Sequence, residues 1–159
     1  MAAASETSGL PQMRLRPMTD ADVAAVVAIE RSVYPFPWTE GIFADCLRVG
    51  YHCTVLEIDY VLVGYGIVAS GAGEAHLLNV CVREEFRGRG CGRALLNGLI
   101  GQAASAGAGV IFLEVRPANT TAIRLYEAMG FRQSGFRPGY YQAAVGREDA
   151  LVMRRPMTP

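Results

Sequence analysis

The sequence predicts an α/β protein in which one mixed β-sheet carries helices on both faces. Three observations predict it. An apolar, β-branched run from His76 to Val82 passes through a charged turn and a glycine-rich loop into an amphipathic helix; a second apolar run, Val110 to Val115, then reads as a buried strand. Such a strand–helix–strand crossover makes a parallel pair. Upstream, the runs Tyr51 to Leu56, Tyr60 to Ala69 and His76 to Val82 follow one another through short polar connections, as an antiparallel meander does. The expected order is β-α-α-β-β-β-α-β-α-β-β.

Taken in order, Met13 to Pro17 alternates and reads as a first strand. Thr19 or Asp20 can cap a helix to about Ser32, with Val23, Val26 and Val27 as its apolar face and Ile29 at the margin. Glu30 falls seven residues after Val23, on that face, and is expected to lie beyond the packed part of the helix, the alternative being a carboxylate that looks into a cleft. Tyr34-Pro35-Phe36-Pro37-Trp38 then breaks the helix. By position it reads as a hydrophobic plug, although rigid aromatics would also suit one wall of a substrate groove. Thr39 caps a second helix through Ile42, Phe43, Cys46 and Leu47.

The next two strands join near Glu57-Ile58-Asp59, and Gly64 and Gly66 mark a bulge or a close approach in the second. Ser70-Gly71-Ala72-Gly73 is a turn. The helix after the glycine loop carries Leu95, Leu96, Leu99 and Ile100 on one face and ends near Gly107. A last helix runs from about Thr120 to Met129, closed by Gly130. Phe131 to Phe136 and Asp149 to Met153 are the final strands, flanking Arg137-Pro138-Gly139-Tyr140-Tyr141.

A chain of 159 residues, 51% hydrophobic, is expected to form one domain, residues 13–159, behind a small, polar, frayed tail at 1–12. Fifteen arginines balance fifteen acidic residues and there is no lysine, so no global field draws nucleic acid or a membrane. Met1 to Gln12 lacks the basic start and apolar core of a signal peptide, and no apolar run reaches the ~18 residues of a membrane span. A cytoplasmic protein with reduced thiols is expected. Cys46, Cys53, Cys81 and Cys91 are scattered without metal-site spacing, so neither zinc nor a disulfide framework is indicated. His52 and His76 are expected to be structural.

Arg87-Gly88-Arg89-Gly90-Cys91-Gly92-Arg93 sits where strand gives way to helix, a place where unpaired N–H groups and the helix dipole meet an anion. A dinucleotide fingerprint fails because the third glycine position is Arg93 or Leu95, and a P-loop fails for want of Lys-Ser or Lys-Thr. What remains, Arg87-x-x-Gly90-x-Gly92, resembles the acyl-coenzyme A pyrophosphate loop of the GNAT (general-control-related N-acetyltransferase) superfamily, whose element order the chain also matches over nearly its whole length.

Two residues further on could do chemistry. Glu114 is an acidic residue in the apolar strand VIFLEV, a costly choice unless it is paired, neutral or facing a cleft. It reads either as an ion-paired carboxylate, with Arg116 a candidate partner, or as a general base with its pKa raised by burial. Tyr126 shares a helix face with Ala122, Ile123 and Met129, and by spacing alone reads as core.

The stretch Leu113 to Phe131 changes this. With Tyr34 to Glu40, Leu78 to Val82 and the tail Gly139 to Met153 (GYYQAAVGREDALVM), it resembles the bacterial group of that superfamily that acetylates the N-terminal alanine of a small-subunit ribosomal protein. The resemblance implies that Val80, Cys81 and Val82 hold acetyl-coenzyme A through their backbone and that Arg87, Gly88, Arg89, Gly90, Cys91, Gly92 and Arg93 take the pyrophosphate. It further implies that Asn119 meets the pantetheine arm unless it only caps its helix, that Glu114 accepts a proton, and that Tyr126 donates one. Phe36, Trp38, Tyr140, Tyr141, Glu148 and Asp149 are candidates for gripping a peptide N-terminus, Glu148 having a surface role beside Arg147 as its alternative. The side chains of Cys81 and Cys91 are expected to pack rather than react. Direct transfer by a monomer, without metal, to a protein N-terminus follows. The alternatives are the same fold acting on lysine, a polyamine or an antibiotic amine, or a coenzyme A-binding module without catalysis.

Overall fold

A computed structural model describes residues 12–157. The expected tail at 1–12 therefore lies, apart from Gln12, outside the described residues. The elements follow the predicted order: β1 (Met13–Pro17), α1 (Val23–Val33), α2 (Glu40–Arg48), β2 (His52–Ile58), β3 (Val61–Gly71), β4 (Glu74–Val82), α3 (Cys91–Ser105), β5 (Val110–Val115), α4 (Thr120–Ala128), β6 (Arg132–Gln142) and β7 (Arg147–Pro156). Short 3-10 turns, Asp20–Asp22 and Glu84–Phe86, precede α1 and the glycine loop.

The strands form one sheet in the order β1-β2-β3-β4-β5-β7-β6, antiparallel except for the β4–β5 pair. On one face α1 and α2 bury Val23, Val26, Val27, Ile29, Phe43 and Cys46 against Val55, Tyr65, Ile67 and Cys81. Ile29 is thus core rather than marginal. On the other face α3 buries Leu96, Leu99, Ile100 and Ala103 against Val68, Leu77, Ile111, Leu113 and Met153. Gly64 and Gly66 serve close approach: a Cβ at Gly64 would lie 2.8 Å from the Cys81 carbonyl oxygen, and one at Gly66 would overlap Leu99.

The β2–β3 turn falls at Asp59 and Tyr60, whose φ angles are 49° and 68°, slightly later than its expected centre. The larger departure is at the C-terminus. Arg137 to Tyr141, expected as a connection, belongs to β6, and β7 extends from Arg147 to Pro156. Pro138 and Gly139 interrupt the register between Arg137 and Tyr141 without ending the strand. Side chains of β7 take up the displaced backbone: Asp149 accepts from the Gly139 N–H (2.9 Å), and Arg147 Nε donates to the Gly139 carbonyl (2.6 Å).

The feature that positions the site is a wedge. Pairing of β4 with β5 runs from Glu74–Val110 to Leu77–Leu113 and stops, while β4 remains bonded to β3 as far as Val82 and β5 to β7 as far as Val115. Two neighbouring parallel strands therefore part in mid-sheet, and beyond Leu77 β4 has no strand partner on the opened side. A bulge contributes: Ile67 and Val68 pair with Asn79 and Leu77, so Leu78 is the extra residue of β4.

Candidate active site

The wedge opens into a cleft of about 290 Å³ lined by Glu30, Tyr34, Phe36, Trp38, Asn79, Val80, Arg116, Asn119, Tyr126, Tyr140 and Tyr141, among others. Of the residues singled out from sequence, this gathers Val80, Asn119 and Tyr126 with Phe36, Trp38, Tyr140 and Tyr141. The aromatic-proline loop is therefore a wall of the cleft, although Trp38 also plugs core through its contact with Phe43 at 5.3 Å. Tyr34 ties this wall to the wedge by donating its hydroxyl hydrogen to the Val80 carbonyl (3.0 Å). A larger but shallow hollow beside α3 is lined by His52, Gly98, Gln102 and Ser105, with Gln102 bonded to Thr54.

The glycine loop lies at the N-terminus of α3. Gly88 and Gly90 have φ of 77° and 81°, and a Cβ on either would meet nothing within 4 Å. Their conformation is thus one that only glycine takes without strain, and their open side is free for a ligand. Ala94 is the first residue to bond back into the helix, to the Gly90 carbonyl (3.0 Å), so the N–H groups of Cys91, Gly92 and Arg93 point out of its end. A Cβ at Gly92 would press to 3.1 Å on Leu125, so this glycine lets α4 close against the loop. Arg87, Arg89 and Arg93 are exposed around it. Open glycines, outward N–H groups and three guanidinium groups fit a pyrophosphate. Asn119 caps α4, its Oδ1 accepting from the Ala122 N–H (3.2 Å), and the residue also lines the cleft.

Glu114 differs from expectation in its partners and in the direction of its pKa. Strand alternation puts it on the sheet face that carries α1 and α2, opposite Leu113 and Val115. It does not line the cleft directly. Burial pushes its pKa up, but His76 Nε2, bonded to Oε2, and Arg137 Nη1, 2.9 Å from Oε1, outweigh burial and hold it below the ordinary carboxylate value. The carboxylate is ionised at neutral pH. Arg116 is not its partner; that guanidinium bonds Glu148 (2.8 Å) and lies over the Tyr141 ring at 4.4 Å. Glu148 is thereby tied to Arg116, beside the cleft wall that Arg116 and Tyr141 form, and His76 is the partner of Glu114.

Tyr126 packs edge-on to Phe131, and burial pushes its hydroxyl up to about 12, so it keeps its proton at neutral pH. Burial likewise pushes up the thiols of Cys81 (to about 11) and Cys91, which disfavours the thiolate form of both. Among the described residues no cluster of His, Cys, Asp or Glu could hold a metal ion.

Sequence reasoning missed the role of Glu30. It is 2% exposed and central: it accepts from the Tyr65 hydroxyl (2.6 Å), the Asn79 amide (2.9 Å) and the Trp38 backbone N–H (2.9 Å). Its place on the Val23 face of α1 was the available signal, because a helix that continues to pack at that point must find partners for the acid.

Known proteins resemble this chain in sequence and fold. The profile of the acetyltransferase (GNAT) family matches residues 23–131, the segment that contains the wedge, the glycine loop, Glu114 and Tyr126. The chain belongs to the GNAT acetyltransferase family. It is 36% identical over 141 residues to the [Ribosomal protein bS18]-alanine N-acetyltransferase of Salmonella typhimurium, covering 89% of this chain and 95% of that one. The crystal structure of the ribosomal-protein-S18-alanine N-acetyltransferase from Escherichia coli superposes with a TM-score of 0.86 at 33% identity, covering 93% of this chain and 96% of that one. Ard1 from Thermoplasma volcanium superposes with a TM-score of 0.85 at 25% identity, over 92% and 99% of the two chains. The GNAT chain is accordingly an acetyltransferase that draws on acetyl-coenzyme A. No helix among the described residues is long and apolar enough to cross a membrane.

Proposed function

We propose that this acetyltransferase modifies the α-amine of a protein N-terminus, with the alanine-first N-terminus of a small-subunit ribosomal protein as its acceptor, acting as a cytoplasmic monomer. The observation that carries the reading is the cleft itself: an opened β4–β5 wedge whose acceptor side is walled by Phe36, Trp38, Tyr140 and Tyr141. Aromatic walls give a short peptide contact area at low entropic cost. Relatives 36% identical over most of both chains are named for that alanine N-acetylation.

Acetyl-coenzyme A supplies an activated acetyl thioester. The chain's part is to hold it and to move protons. Backbone groups of Val80 to Val82 align the acyl end, the loop Arg87–Arg93 and the start of α3 take the pyrophosphate, and Asn119 meets the arm between them. The amine nitrogen bonds to the acetyl carbon as the carbon–sulfur bond breaks. An α-ammonium has a pKa of about 7.7 to 8, so a proton must leave it before attack. Glu114, ionised by His76 and Arg137 and set one residue from Leu113 and Val115 of the cleft wall, accepts that proton through water. Tyr126, still protonated, donates to the departing sulfur and is reprotonated through solvent by the second proton that the nitrogen sheds as the amide forms.

The test is a panel of acceptors: peptides that differ in their first residue, Nα-blocked peptides with an internal lysine, free lysine, and a polyamine. Acetylation of alanine-first peptides and none of the blocked ones is expected. Turnover on small amines alone would overturn the reading.

A further inference from the structure

The acceptor side of the cleft contains a carboxylate that the proton transfers above do not use. Glu30 ties α1 to three other parts of the fold, being bonded to Tyr65 of β3, Asn79 of β4 and the backbone of Trp38 before α2. Burial, together with Cys81 and Glu30 beside it, pushes the Tyr65 hydroxyl far up, so that phenol keeps its proton and donates. Among the described residues no arginine or histidine nitrogen forms an ion pair with Glu30.

A carboxylate only accepts. Asn79 must therefore turn its amide nitrogen to Glu30 and its carbonyl Oδ1 away. No donor among the described residues reaches Oδ1, and yet no buried side-chain oxygen lacks a partner. Oδ1 is consequently open, and Asn79 lines the cleft. The residue stands just past Leu77–Leu113, the last β4–β5 pair, so it occupies the mouth of the wedge. Its bond to α1 places it on the acceptor side, away from α3 and α4.

We propose that Asn79 binds the incoming amine, its Oδ1 accepting a hydrogen bond from the substrate N–H, and that Glu30 is the positioning residue that fixes the amide this way round. The inference rests on the reading that an amine is acetylated in this cleft. An acetyl group and a thioester sulfur offer no donor to Oδ1, whereas an amine does. A glutamine at position 30 would offer an N–H of its own, letting the Asn79 amide turn over and present nitrogen to the substrate.

The experiment compares the wild type, Asn79→Ala, Glu30→Gln and the double variant for KM and kcat with an alanine-first peptide, and for acetyl-coenzyme A affinity by calorimetry. KM for the peptide should rise about tenfold in each single variant, the scale of one hydrogen bond to a charged group. The double variant should be no worse than Asn79→Ala alone, and cofactor affinity should not move. An unchanged peptide KM in Asn79→Ala overturns the proposal. A parallel loss of cofactor affinity does so too, because it marks a structural role. Losses that add in the double variant overturn the positioning role of Glu30. Asn79→Ser gives the same readout should the alanine variant fail to fold. If the wild type acetylates another amine but not the peptide, the peptide reading fails, and the same four-way comparison with that amine still decides the role of Asn79.

Discussion

Gly90→Val isolates the cofactor loop, because the fold contains its own control. Gly90 and Gly73 share a φ of 81°, and a Cβ on either meets nothing within 4 Å. Gly73 lies in the β3–β4 turn, at the opposite end of β4 from the loop. Valine at either place must adopt a left-handed backbone, which costs roughly 1–2 kcal/mol, without striking any neighbour. Both variants should lose about the same stability, a fall in melting temperature of roughly 2–8 °C at about 2–4 °C per kcal/mol for a chain of this size. Only at Gly90 does the new side chain stand where a phosphate must approach the N–H groups of Cys91 to Arg93. Losing one hydrogen bond to a charged group costs about 1.5–3 kcal/mol, or about ten- to a hundredfold in affinity. Calorimetry with coenzyme A, alongside thermal melting, gives both numbers. Equal coenzyme A affinity in the two variants would refute the assignment of the loop.

Glu114→Gln should lower turnover about a hundredfold while leaving coenzyme A affinity intact, since the residue acts on the amine and touches no part of the proposed cofactor path. Because His76 and Arg137 hold the carboxyl below its ordinary value, the wild-type kcat/KM profile should show no limb from this group between about pH 5 and pH 7; the decline there follows protonation of the amine, and a carboxylate limb in that range would refute the assignment. Tyr126→Phe should reduce kcat with little change in peptide KM, and a thioester with a more acidic leaving thiol should restore most of the loss; no recovery would count against the donor role. Asp22 accepts two bonds from Arg16, which hold its pKa at about 2 against an ordinary 3.8. A depressed carboxyl stabilises the fold above its unfolded pKa and loses that stability as pH falls through the folded value. Urea melts should therefore show about 2 kcal/mol lost between about pH 5 and pH 2, and Arg16→Met should flatten that dependence.

Much of this architecture is legible in the sequence because local signals and tertiary demands agree. The strand from His76, the glycine loop and the apolar face of Leu95, Leu96, Leu99 and Ile100 follow in the predicted order, and all four side chains are buried against the sheet. The wedge was not legible, since nothing in LNVCV says that pairing stops at Leu77. Arg137 to Tyr141 misled because Pro138 and Gly139 are turn residues; Asp149 and Arg147, some ten residues away, are what keep them in a strand. Glu114 shows the same limit in electrostatics. Burial was readable from its apolar neighbours, but His76 and Arg137, which reverse the sign of the shift, lie 38 and 23 residues away. Glu30 could be placed on a helix face, whereas its partners Tyr65 and Asn79 become neighbours only when the sheet is assembled.

The most direct measurement is to incubate the wild-type protein with acetyl-coenzyme A and an alanine-first peptide that also contains a lysine, and to locate the transferred group by tandem mass spectrometry. A single acetyl group on the α-nitrogen of the alanine is the expected product. Acetyl found on the lysine side chain, or transfer to free amines with none to the peptide, would contradict a cleft built for a protein N-terminus.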